Sequence, residues 1–325
     1  SYEQIAAAGG GILSTVRATR AATDAELVDS ARRRLDEMLA LGVTTIEAKS
    51  GYGLDTATEL RILRLLREID RQHPISIVST FLGAHSIPAE HRGDRQGYLE
   101  LLMDEMLPAV AAEGLATFCD VFCEKGVFRP DETRAVLTRA RELGLGAKIH
   151  AEQLHNSGGV DVGIELGAVS VDHLEQIDER QIRALAASQT IAVLLPAATL
   201  FLGSHHFAPG RALLDAGVRV ALATDSNPGS AMTTHLPLMT TLAAVYMGLR
   251  PDEALRAITR DAAAAIGLDE RAGRIAVGRP ADLVVTNLQH ENQLPYRMAS
   301  NPAAQVFKRG ALVAAAGRRV DFSVT

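Results

Sequence analysis

Residues 147–175 read AKIHAEQLHNSGGVDVGIELGAVSVDHLE, and this stretch decides the fold. The run 147–150 is apolar except for Lys148 and His150, which alternation places on one side of a strand. Residues 158–167 switch to a helical rhythm, and 170–174 return to a short apolar strand. A strand, a helix and a second strand in this order form a parallel pair, because a tight hairpin cannot join parallel strands. The unit recurs on both sides. Strands are expected at 43–49, 75–84, 117–124, 191–196 and 218–225, with helices at 57–71, 97–113, 131–143, 178–188 and 208–217. A helix over 24–41, capped by Thr23 and stopped by Gly42, precedes them and has no strand of its own. Helices at 234–248 and 252–266 follow, and then a strand-like tail punctuated by Gly273, Gly278, Pro280, Gly310 and Gly317.

Seven strand–helix units behind an unpaired helix predict an α/β protein, a (β/α)8 TIM barrel missing its first strand. An open doubly wound sheet would carry a G-x-G-x-x-G fingerprint after its first strand. Gly9-Gly10-Gly11 is a plain triple glycine that follows no strand. The expected division is a barrel domain over 1–272 and part of a small β-sandwich over 273–325.

Composition narrows the function. The 325 residues are 47% hydrophobic and 22% charged, which suits a globular protein with a substantial core. A net charge of −6 without any basic block argues against a nucleic-acid partner. The longest apolar run, 190–203, is interrupted by Pro196 and falls short of the roughly 20 residues a membrane helix needs. No basic-then-apolar leader opens the chain, so a signal peptide is not expected. Cys119 and Cys123, four residues apart on a strand, lie about 13 Å from each other, too far for a bridge. They read as buried thiols in a reducing compartment, and the expected location is cytoplasmic.

In a parallel barrel, chemistry gathers at the carboxyl ends of the strands. Those ends carry Lys49 with the loop SGYGLD (50–55), His85, Glu124, His150, His173 with Glu175, and Asp225. His150, His173 and Asp225 stand out, since imidazole and carboxylate are the usual ligands of a catalytic divalent ion. A hydrogen-bonded polar cluster without metal is the competing interpretation, because no compact motif such as H-E-x-x-H occurs. A carboxylate ending the apolar run 218–224 is costly unless paired or metal-bound. No G-x-S-x-G elbow or P-loop is present. A Schiff-base lysine at Lys49 or Lys148 is conceivable. A paired-carboxylate glycosidase is disfavoured, since there is no Trp and aromatic residues make up 4%.

Taken together, several stretches carry a resemblance. They are SYEQIAAAGGGILSTVRATRAAT (1–23), KSGYGLD (49–55), TFLGAH (80–85), DVFCE (120–124), KIHAEQ (148–153), SVDHLE (170–175), AVLLPAA (192–198) and ALATDSNPGS (221–230). Over essentially its whole length the chain resembles the imidazolonepropionases of the amidohydrolase superfamily. The resemblance implies a metal-dependent barrel with a small β-sandwich built from both chain ends. It also implies hydrolysis of 4-imidazolone-5-propanoate to N-formimidoyl-L-glutamate in histidine degradation, with one zinc or iron ion. Carried over by position, His150 and Asp225 are metal ligands and His173 stands beside the attacking water. Tyr52, His85, Gln153, Asn227, Gly229 and Ser230 are substrate contacts. Many superfamily members carry Glu where this chain has Gln153, so orientation rather than proton transfer is expected there. A homodimer is the implied assembly.

One departure is plain. The family's His-x-His pair, at the end of the first barrel strand, occurs nowhere in the 325 residues. The family arginine that grips the substrate carboxylate belongs just upstream of Ser1. The expectation is a family member lacking its N-terminal segment, with negligible turnover by this chain. The alternatives are a non-catalytic remnant that binds metal weakly, and a related amidohydrolase or deaminase acting on another cyclic substrate.

Overall fold

A computed structural model of the chain describes residues 11–320. The matching stretch 1–23 begins outside the described residues. Helix α1 (Ile12–Ala21) leads into α2 (Asp24–Ala40) and strand β1 (Thr45–Lys49). Then follow α3 (Thr56–Gln72), β2 (Ser76–Ala84), α4 (Arg95–Glu100), α5 (Leu107–Ala112), β3 (Phe118–Cys123), α6 (Pro130–Glu142) and β4 (Gly146–Ala151). The series continues with α7 (Gly159–Glu165), β5 (Ser170–His173), α8 (Glu179–Ala186) and β6 (Ile191–Leu194). After these come α9 (Pro196–Phe201), α10 (Gly210–Asp215) and β7 (Val220–Leu222).

The sheet order is β1 through β7 in sequence. No strand order reverses, so there is no switch point of the doubly wound kind, and the winding is that of a (β/α)8 barrel. The described residues divide into two compact units, one of residues 11–28, 47–71 and 77–192, the other of 29–46, 72–76 and 193–320.

In the first unit β3 and β4 pair in parallel from Phe118↔Gly146 to Cys123↔Ala151, and β4 and β5 from Lys148↔Ser170 to Ala151↔His173. Every residue of β3 is buried, as expected for a strand covered on both faces. Phe81, Leu102, Met106, Val121, Ile149 and Val171 belong to the core between strands and helices. The helix expected over 97–113 is interrupted. A π-helical turn at Leu101–Met106 separates α4 from α5. Such a turn adds a residue to the helical repeat, which apolar spacing alone does not reveal.

In the second unit the strand expected over 191–196 stops at Leu194, because Pro196 opens α9. A proline at the first helical position loses no hydrogen bond. β7 is shorter than the apolar run 218–225, so Asp225 stands on the loop beyond it. The helix expected over 252–266 is two, α12 (Pro251–Ala257) and α13 (Arg260–Ala265), preceded by α11 (Leu236–Tyr246). Thr259, with φ −125° and ψ −90°, breaks the turn between them.

The tail forms β8 (Leu283–Thr286), a short α14 (Gln293–Tyr296), β9 (Ala303–Lys308), β10 (Ala311–Ala315) and β11 (Arg318–Arg319). Its antiparallel sheet runs β11-β10-β9-β8. Two polar ties hold it to earlier chain of the same unit. Lys308 Nζ donates to Thr44 O at 2.8 Å and pairs with Asp282 at 2.6 Å, and Asn301 Nδ2 donates to Ala40 O at 2.8 Å. Among the described residues no helix is long and apolar enough to cross a membrane.

Both cysteines are free and buried, as their spacing predicts. Burial pushes the Cys123 thiol up to about 11 and raises that of Cys119 as well. Thiolate is the reactive form. Neither is therefore expected to react with iodoacetamide at pH 7.5 until denaturant unfolds the chain, as intact mass will show. A native thiol alkylated at the rate of a free cysteine would contradict this burial.

Candidate functional site

The inward positions of β1, β3, β4 and β5 form a buried ionic lattice within the first unit. Lys49 Nζ lies 2.6 Å from Asp120 Oδ2, 2.9 Å from Glu47 Oε1 and 3.3 Å from Asp172 Oδ2. Lys148 Nζ lies 2.7 Å from Glu47 Oε2 and over the Phe118 ring at 5.3 Å. Ser170 Oγ donates to Asp172 Oδ1 at 2.7 Å. Each pair Glu47/Lys49, Lys148/His150 and Ser170/Asp172 is two residues apart, the period that keeps side chains on one face. For Lys148 and His150 that period was read from the sequence. Which carboxylate met which ammonium was not.

Opposite charge keeps Glu47 and Lys49 ionised. Burial pushes the Glu47 carboxyl up, but Lys148 and Lys49 outweigh it and hold it at about 2. Burial likewise opposes charge at Lys49, yet Asp120, Glu47 and Asp172 raise it well above the ordinary lysine range. A Schiff-base lysine needs the reverse shift, so Lys49 does not fit that role.

The lattice ends at His150. Its Nδ1 lies 3.0 Å from Asp120 Oδ2, and Asp120 is fully buried. Asp120 is held well below the usual carboxylate range by His150 and Lys49, against the upward push of burial. With Nδ1 engaged, the imidazole presents Nε2 as its remaining nitrogen. Asp120, His150 and Asp172 bring ligand-type atoms within 4.8 Å of one another, but the Lys49 ammonium already sits on both carboxylates.

Three other predicted residues gather round His150 in this unit. The His173 ring centroid is 5.3 Å away and that of His85 is 6.2 Å. Tyr52 meets His85 edge-on at 5.3 Å. Burial, and then His150, lowers His85 to about 4, so its ring is neutral at neutral pH. His85 Nδ1 donates to Gly51 O at 3.0 Å, which leaves Nε2 as an acceptor.

Two buried glutamates that sequence reading passed over shape the loops. Glu59 accepts from Gly51 N at 3.0 Å, Gly53 N at 2.7 Å and Leu54 N at 2.9 Å, and so moulds the loop that carries Tyr52. Gly51 has φ +99°, and a Cβ there would stand 2.8 Å from Leu82 O, so only glycine fits. Arg20 Nε ties the loop from α1, donating to Gly53 O at 2.7 Å. Glu152 accepts from Gly158 N and from Gln181 Nε2, both at 2.9 Å, and anchors the loop on which half-buried Gln153 lies.

Backbone strain marks the strand ends. Glu152 after β4 (φ +51°), His173 and Leu174 at the end of β5 (+85° and +71°) and Asp225 after β7 (+51°) are non-glycine residues in the left-handed region. Such residues concentrate where a site needs side chains held against local preference.

The remaining predicted residues lie in the second unit. Asn227 Nδ2 donates to Asp225 O at 2.7 Å, and its Oδ1 accepts from Gly229 N at 2.7 Å and Ser230 N at 2.8 Å. Ser230 Oγ lies 3.4 Å from Asp225 Oδ2. The amide of Asn227 is thus engaged in building the turn that presents Asp225.

A family model described as the amidohydrolase family matches residues 24–313. The imidazolonepropionase of Symbiobacterium thermophilum is 47% identical over 98% of this chain and 75% of its own length. That of Streptococcus sanguinis is 48% identical over 98% and 76%. Solved structures share the fold at low identity. A zinc-bound adenosine deaminase from Xanthomonas campestris superposes with a TM-score of 0.71 at 20% identity, over 94% of this chain and 73% of that one. A mutant atrazine chlorohydrolase from Arthrobacter aurescens, complexed with zinc and atraton, gives 0.74 at 19%, over 92% and 74%. The chain belongs to the amidohydrolase family and, within it, to the imidazolonepropionases.

Proposed function

We propose that these residues form the site of a metal-dependent hydrolase that opens the ring of 4-imidazolone-5-propanoate to N-formimidoyl-L-glutamate. The observation that carries the reading is His150, whose Nδ1 is held by buried Asp120, which makes Nε2 the nitrogen a metal would take. A carboxylate on the far nitrogen is the usual support of a metal-ligating histidine. Together with imidazolonepropionases 47–48% identical to the chain, it favours ring hydrolysis over the other barrel chemistries.

In this proposal, as membership of the imidazolonepropionases implies, His150 and Asp225 ligate one divalent ion and His173 stands beside the attacking water. Nitrogen and carboxylate oxygen donors suit zinc and iron alike. When bound, such an ion lowers the pKa of water towards about 7. Asp225 takes the proton of the attacking water and returns it to the ring nitrogen as the cyclic amide C–N bond breaks. His173 steadies negative charge on the oxygen that adds to the carbonyl carbon. Neutral His85 offers Nε2 to a ring N–H, which a carboxylate arm would not satisfy. Tyr52 closes over the ring beside it, and Gln153 hydrogen-bonds the ring without moving a proton. Asn227, Gly229 and Ser230 contribute the loop against which the substrate rests. We further assign residues 1–272 to the barrel domain without its first strand and 273–325 to the C-terminal part of a small β-sandwich.

Because the 325 residues contain no His-x-His, turnover is expected to be slight, and the decisive test reads binding as well as rate. One equivalent of zinc or iron should bind per chain and leave on chelation. Any hydrolysis of 4-imidazolone-5-propanoate should depend on that metal and exceed that of cyclic ureas or aminopyrimidines. Full metal binding by a folded His150→Ala variant, or preference for an aminopyrimidine, would overturn the assignment.

A further inference from the structure

We propose that Lys49 is the positioning residue of this centre: its ammonium, lodged between Glu47, Asp120 and Asp172, pins Asp120 to His150 Nδ1 and so dedicates Nε2 to the metal. The inference rests on the proposed ligand role of His150.

The geometry points this way because Asp120 has two partners and no solvent. Its side chain is 0% exposed, and Oδ2 faces both Lys49 Nζ at 2.6 Å and His150 Nδ1 at 3.0 Å. A buried carboxylate with a single uncharged partner would pay a large desolvation cost and would swing away from it. The Lys49 charge removes that choice. Lys49 in turn is held from three sides, by carboxylates on β1, β3 and β5, so it cannot follow Asp120 if the histidine moves. The chain of restraint therefore runs from Lys49 through Asp120 to the imidazole, and it fixes both the ring plane and the tautomer.

The ammonium has a second consequence. Asp120, His150 and Asp172 alone would offer a cation three ligand-type atoms within 4.8 Å of one another. With Lys49 on both carboxylates, that place already holds a fixed positive charge. The two oxygens then serve hydrogen bonding, and Nε2 is the open donor of this cluster.

The test compares Lys49→Met, which keeps the stem and removes the charge, with Asp120→Asn, which keeps an acceptor and removes the charge. Each is loaded with cobalt(II), its dissociation constant read by chelator competition, its visible spectrum recorded and its thermal midpoint measured. Both variants should bind cobalt about 10- to 100-fold more weakly, with an altered visible spectrum. The double variant should lose no more than the weaker-binding single one, because both changes act on one hydrogen bond. A lower midpoint with unchanged affinity and spectrum would make the lattice purely structural and overturn the proposal. If one variant does not fold, the other decides. His150→Ala separates the two readings. If it still binds cobalt, the metal-site assignment fails. If it releases cobalt while Lys49→Met and Asp120→Asn bind normally, only the positioning role falls.

Discussion

Replacing Asp225 by asparagine is expected to weaken divalent-metal binding at least about a hundredfold, the upper end of the cost of losing even an outer-shell partner. Whatever turnover the chain supports should fall by about 10²- to 10⁴-fold, the contribution of a positioned acid–base group. Asparagine is the informative choice because Asp225 has φ +51°, a conformation that asparagine tolerates and alanine does not. The turn itself should survive. Asn227 donates to the main-chain oxygen of residue 225, and Gly229 and Ser230 donate to Asn227, so neither set of bonds uses the carboxylate. Metal titration and an unchanged circular dichroism spectrum therefore separate a lost ligand from a lost fold. His173→Ala should cut turnover severely too. Retention of both metal and rate by Asp225→Asn would show that the ion and the proton are handled elsewhere.

Replacing Glu47 by glutamine should cost about 3 kcal/mol of stability, the lower end of what breaking a buried ion pair costs. Glu47 accepts from Lys148 at 2.7 Å and Lys49 at 2.9 Å, and the Lys148 side chain is only 1% exposed. Glutamine keeps an acceptor oxygen but removes the charge that offsets burial of both ammoniums. The effect has a defined pH window. The folded carboxyl sits at about 2 against an ordinary 4.5, so its contribution is complete above about pH 4.5 and fades as pH falls towards 2. Urea unfolding at pH 7 should show the full gap between the two proteins, and at pH 3 a smaller one. A gap that stays constant over that range would trace the cost to packing instead of charge.

Much of the fold was legible because it rests on local pattern. The strand-end positions of His85, His150 and His173 followed from where apolar runs stop. The failures have local causes too. The π-turn at Leu101–Met106 leaves the apolar helical spacing nearly intact, and Pro196 reads equally well as the end of a strand or the start of a helix. Glu59 and Glu152 were passed over because their partners are main-chain N–H groups, which carry no residue signature.

By itself the sequence determined the alternation of strand and helix, the shared face of Lys148 and His150, and the family. Only the tertiary structure decided the pairings. Lys49 meets Asp120 across 71 residues, and Asp120 meets His150 across 30. Parity tells which side of a strand a charge faces, while the partner is chosen by the register and tilt of neighbouring strands. Those are set by packing of the whole sheet, so the same residues that looked like isolated polar exceptions in apolar runs became one ionic lattice with a histidine at its end.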